Sequence, residues 1–245
     1  MLRLITPLGL AGALAACGHL APASTTLPDA LLLGEQHDAP QHKRWHHETV
    51  RDLARRERLA ALALEMAERG ASTAHLPREA SQEQVRAALR WEERAWPWAA
   101  YGPAVMEAVR AGVPVIGVNL PRAHMRAAMA DANLERALPA EALARQQTAV
   151  REGHCDLLPE SQVLPMVRVQ IARDRSMAEG VAAAATRGRT VVLLAGSGHV
   201  DEALGVPRHL PPGLSVEPRA WPPAEGSRSV EDACAELRQH FRPRP

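Results

Sequence analysis

Four short apolar runs, each of strand length and each separated from the next by helix-like sequence, constrain this chain more than any other feature. They are ALLLGE from Ala30, RLAALALE from Arg58, VPVIGVN from Val113 and TVVLLAGSG from Thr190. A strand with one wet face alternates apolar and polar residues, whereas an unbroken apolar run suits a strand covered by helices on both sides. The fold class expected is therefore α/β, a mainly parallel sheet flanked by helices. Helical periodicity places helices at 42–57, 81–94, 101–111 and 162–186, the second opening on a Ser81–Gln84 capping box. Residues 121–160 have helical composition and no strand-like run, with breaks at Pro139 and Gly153, so they read as a small helical insertion. A strand around Leu214–Val216 and a terminal helix complete a domain spanning 28–245.

At 245 residues and 46% hydrophobic content, one folded unit is expected. The net charge is +1 and the Lys and Arg residues are scattered, which argues against nucleic acid as a partner. The first 17 residues carry one basic residue, Arg3, then an apolar run too short to cross a bilayer, so they read as a signal peptide. Its LAAC ending resembles the bacterial lipobox, which would make Cys17 a lipidated first residue; an ordinary signal peptide that contains a cysteine is the alternative. Residues 18–27 then form a flexible tether, and a lipid anchor would hold the domain at a membrane. In that oxidising compartment Cys155 and Cys234 either pair or remain free buried thiols, and the sequence leaves both open.

Aligning the strands in parallel gathers their C-terminal ends along one edge, where open α/β sheets form a binding crevice. The polar residues arriving there are Glu35 and His37, Glu65, Asn119, and Ser197 with His199. The first and last ends share the pattern G-x-x-H, GEQH from Gly34 and GSGH from Gly196, in which glycine lets the chain turn sharply beside a ligand. Two histidines with carboxylates suit a divalent metal ion that activates water, so Glu35, His37, Glu65 and His199 form a catalytic set in one reading. A buried hydrogen-bond network joining the strand ends is the other. His42 and His46, spaced i, i+4, read as a polar helix face rather than a metal site. Gln170, Arg173, Asp174 and Met177 recur at helical spacing and would line the crevice from one helix face.

LLLGEQHDAPQH, LALEMAE, WPWAAYGPAVMEAVRAGVPVIGVNLPR, GHCDLLPES, QIARDRSMAEG and VVLLAGSGHV, in this order from about Leu31 to Leu210, resemble the motifs of the ChaN-like haem-binding lipoproteins. That family sits in a larger grouping with erythromycin esterases and Tiki/TraB-type proteins. The resemblance implies a haem-binding protein of the bacterial cell envelope that serves iron uptake, lipid-anchored at the outer membrane, and a homodimer holding two stacked haems. Gly18, rather than aspartate, follows Cys17, which agrees with that placement. It also implies a tyrosine phenolate on the haem iron, with a histidine assisting. Tyr101 is the one tyrosine, and packing against Trp96 and Trp98 is its plainer role. His154, with Cys155, is a second haem contact in this reading, with a structural loop as the plainer role of the pair, and Arg173 pairs either with a propionate or with Asp174 or Glu65. Haem binding by Tyr101, His154, Gly34, Glu35, His37, Glu65, Asn119, Arg173 and His199 is thus the expectation. A metal-dependent hydrolase, as elsewhere in the grouping, is the alternative.

Overall fold

The computed structural model describes residues 27–223 and 229–240, so the expected signal peptide with Cys17 and nearly all of the expected tether lie outside the described residues. The strands β1 (Ala30–Glu35), β2 (Leu59–Glu68), β3 (Val115–Asn119), β4 (Thr190–Gly196) and β5 (Val216–Ala220) form one parallel sheet of order β3-β2-β4-β1-β5. Between them run α1 (Pro40–Arg55), α2 (Gln82–Ala88), α3 (Trp98–Arg110), α4 (Met125–Ala130), α5 (Ala140–Gly153) and α6 (Glu160–Ala184), with α7 (Val230–His240) after β5.

The apolar runs are unbroken because successive residues enter different cores. Leu31, Leu33, Leu62, Leu64, Val192 and Leu194 pack with residues of α1 and α3. Ala30, Leu32, Ala61, Ala63, Val191 and Leu193 pack with Met177 and Val181 of α6 on the opposite face. Each fully buried leucine contributes roughly 1.5–3 kcal/mol relative to exposure. The insertion carries its own apolar cluster, in which Leu134, Leu138 and Val150 meet Val163 and Val167 of α6.

The second helix is shorter than periodicity suggests. It ends at Ala88, and the chain turns away through Arg90 at φ 49°. Its capping box is present, with both reciprocal hydrogen bonds between Ser81 and Gln84. The last strand begins at Val216 and runs to Ala220, later than expected, because it pairs with Ala30–Gly34 of β1. Cys155 and Cys234 form a disulfide, which settles the open alternative. Closing a loop of 79 residues stabilises the fold by about 4.5 kcal/mol in the chain-entropy picture.

Candidate functional site

The strand-end residues assemble as two networks rather than one cluster, and strand parity is the reason. Glu35 follows Leu31 and Leu33 in register, so its side chain faces α1 and α3. There its Oε1 accepts hydrogen bonds from the Tyr101 hydroxyl at 2.6 Å and from His37 Nδ1 at 2.8 Å, and pairs with Lys43 Nζ. Burial alone would raise the carboxyl's pKa, but His37, His46 and Lys43 together hold it below its usual value. His46 Nδ1 lies 3.1 Å from Glu35 Oε2 without forming a hydrogen bond. Burial drives the His46 pKa down to about 4, and the ring is neutral near pH 7.

Glu65 follows Ala61 and Ala63 and faces α6 instead. Its Oε2 accepts the Gly196 backbone N–H at 2.7 Å, and its Oε1 lies 3.4 Å from His199 Nε2 and 3.6 Å from Arg173. Asp174 of α6 accepts from His199 Nδ1 at 2.6 Å. Asn119 joins this group by donating to the Glu65 carbonyl and accepting from Arg173 Nε. Burial opposes a charge on His199, but the flanking Glu65 and Asp174 carboxylates overcome it and push the imidazole up to about 10. Glu65, in turn, is held well below the carboxylate range despite its burial.

His37 stands between the two networks. Its Nε2 lies where a side chain on Gly196 would reach, 2.9 Å from an ideal Cβ there, and Glu65 is beside it. Gly34 meets the same demand differently: a Cβ would come within 2.4 Å of Val200 Cγ2 and 3.0 Å of Ser197 Cα. Close packing of the strand ends therefore requires glycine at position 34, whereas at 196 the neighbour is the movable end of the His37 side chain.

Above these networks opens a crevice of about 1210 Å3, bounded by α5, by Gln170 and Arg173 of α6, and by Gly196–His199. His154 lines it from the end of α5. Its Nδ1 bonds the Val150 carbonyl at 2.7 Å, which makes Nδ1 the protonated nitrogen and leaves the Nε2 lone pair available.

Several expectations are corrected here. Tyr101 lies beneath the crevice, 2% exposed, with its ring against Trp91 and Trp96 and its hydroxyl on Glu35. Burial first, and then the Glu35 charge, raise its pKa, which favours the hydroxyl that donates to Glu35. His42 and His46 are fully buried rather than a polar helix face. They belong to the stripe His42, His46, Val50, Leu53 that α1 turns to the sheet. His42 Nδ1 accepts from the Gln36 N–H and its Nε2 donates to the Pro222 carbonyl. Met177 sits in the core below the crevice, while Gln170, Arg173 and Asp174 line it.

The hydrolytic set does not form. Glu35 and Glu65 sit in separate networks on opposite sheet faces, and both His199 nitrogens face carboxylates, Nε2 towards Glu65 and Nδ1 towards Asp174. Among the described residues, no three His, Cys, Asp or Glu side chains gather as a metal-holding group. One contributor, Lys43, escaped the sequence, as did the pairing of Asp174 with His199. Lys43 pairs with Glu35 from the residue beside the buried His42, and Asp174 bonds His199 from the α6 face that periodicity turns to the crevice.

The family described as "Haem-binding uptake, Tiki superfamily, ChaN" matches residues 24–210. The chain belongs to this family. Among solved structures it is similar to ChaN of Campylobacter jejuni, described with cofacial haem binding, at 21% identity and a TM-score of 0.65, covering 84% of this chain and 85% of that one. That likeness shows a shared fold. A type III effector, HopBA1, aligns at 18% identity over 70% of this chain and 67% of its own, with a TM-score of 0.37, too low to bear on fold or function. No curated protein matches.

Proposed function

We propose that this chain binds haem in the crevice between its strand ends and α5, with His154 as the iron ligand. The observation that carries this reading is the His154 imidazole, whose Nδ1 is committed to Val150 so that Nε2 is the basic nitrogen in the crevice wall. Imidazole is a common iron ligand, and a backbone carbonyl on its far nitrogen is the usual way to fix its tautomer and orientation. The crevice also exceeds the ~300–1,000 Å3 of ordinary small-molecule sites, as a tetrapyrrole needs. Haem would supply a Lewis-acidic iron and two carboxylates; Arg145 and Arg173 border the crevice and would meet the carboxylates.

This reading extends to a lipid-anchored homodimer at the outer membrane that takes part in haem uptake. The LAAC sequence ending at Cys17 supports the anchor, and a closed Cys155–Cys234 disulfide agrees with an oxidising envelope compartment. Radiolabelled palmitate incorporation that disappears in Cys17→Ser tests the anchor.

An absorbance titration of the purified protein with haemin tests the central claim. A saturable Soret shift, with its position altered in His154→Ala, is expected. A linear, unsaturable response would overturn haem binding.

A further inference from the structure

α5 ends at Gly153, and His154 is its C-cap. The next two residues, Cys155 and Asp156, have φ of 56° and 58°, a left-handed conformation that residues with a Cβ rarely adopt. Aspartate tolerates it through local hydrogen bonds, but cysteine has no such compensation. A strained pair of this kind persists only where its surroundings over-determine it.

The surroundings come from α7. Cys155 is bonded to Cys234, with both residues buried and their Cα atoms 5.2 Å apart. Four residues further along α7, Arg238 Nη2 donates to the Cys155 carbonyl at 3.2 Å. Within the turn itself, Cys155 N bonds the Glu152 carbonyl and Asp156 N bonds the Arg151 carbonyl. α7 is otherwise lightly packed, with Leu237 38% exposed. It therefore acts as a splint on the residue that follows His154.

We propose that the Cys155–Cys234 disulfide is a positioning clamp for His154, so that haem capture by this crevice depends on the disulfide being closed. The proposal rests on the haem reading above. Opening is an ordinary exchange: a dithiol gives two electrons and two protons, the S–S bond breaks, Cys155 and Cys234 become thiols, and the dithiol closes to its own disulfide. The released turn then relaxes out of its left-handed conformation, and the His154 bond to Val150 goes with it.

The test compares haemin titrations of the purified protein with those of Cys155→Ser/Cys234→Ser, a variant without a free thiol that would itself ligate iron. Affinity is expected to fall on the order of tenfold to a hundredfold, as when a metal ligand loses its orienting partner, with the Soret band displaced. Without haemin, the His154 imidazole resonances should shift and lose protection of Nδ1–H. Adding Asp156→Gly to the double serine variant should recover part of the affinity, because glycine holds a positive φ without strain. If the double variant does not fold, wild type reduced by a dithiol and checked by circular dichroism takes its place. Unchanged affinity and unchanged His154 resonances overturn the clamp. If wild type fails to bind haemin, or His154→Ala binds it identically, the haem reading itself fails and the clamp falls with it.

Discussion

Asp174 Oδ1 holds His199 Nδ1 at 2.6 Å while Glu65 stands on the far side of the same ring, so a buried imidazolium is suspended between two carboxylates. Its folded pKa, about 10, lies above the ordinary 6.5. Stability from this charge is complete below pH 6.5 and is lost as pH rises through about 10. Chemical denaturation from pH 6.5 to 10 should show wild-type stability falling by several kcal/mol across that window, a slope that His199→Gln removes.

His46 has the opposite linkage. Its folded pKa of about 4 lies below 6.5, so the unfolded chain takes up its proton first and stability falls as pH drops from 6.5 towards 4. The two histidines therefore oppose each other, one costing stability on the acid side of pH 6.5 and the other on the alkaline side. His46→Phe, which keeps an aromatic ring against Trp221, should reduce the slope of the acid limb of a melting-temperature profile, to which His209 also contributes, and leave the alkaline limb in place.

Tyr101→Phe removes one donor from a buried carboxylate. The expected loss is about 1.5–3 kcal/mol in urea denaturation, the range for a hydrogen bond to a charged group. The haemin spectrum should be unchanged, since the phenol lies below the crevice; a displaced Soret band would put Tyr101 back on the iron.

Gly34→Ala places a methyl group 2.4 Å from Val200 Cγ2 and 3.0 Å from the Ser197 backbone. One contact is with a rigid β-branched side chain and the other with main chain, so neither yields easily. A destabilisation of about 1–3 kcal/mol, measured as a lower denaturation midpoint at constant slope, is expected from such overpacking.

The layout of the sheet was legible because an unbroken apolar run has a single cause, burial on both faces. The four runs, the capping box at Ser81 and the break at Pro139 all appear where their chemistry requires. The site was only half legible. Glu35, Glu65 and His199 were rightly placed at the strand ends, but which face each serves depends on its parity with the core leucines and on neighbouring strands.

By itself the sequence determined which residues reach the crevice edge, since strand length and polar stops are local properties of the chain. It also carried the family's motif order. Tertiary structure alone decided the partners. It divided one expected cluster into two networks, buried His46 and Tyr101 against Glu35, and joined cysteines 79 positions apart beside His154. Partner choice, protonation and disulfide pairing depend on distances between segments remote in sequence, and folding sets those distances through the packing of helices on both faces of the sheet.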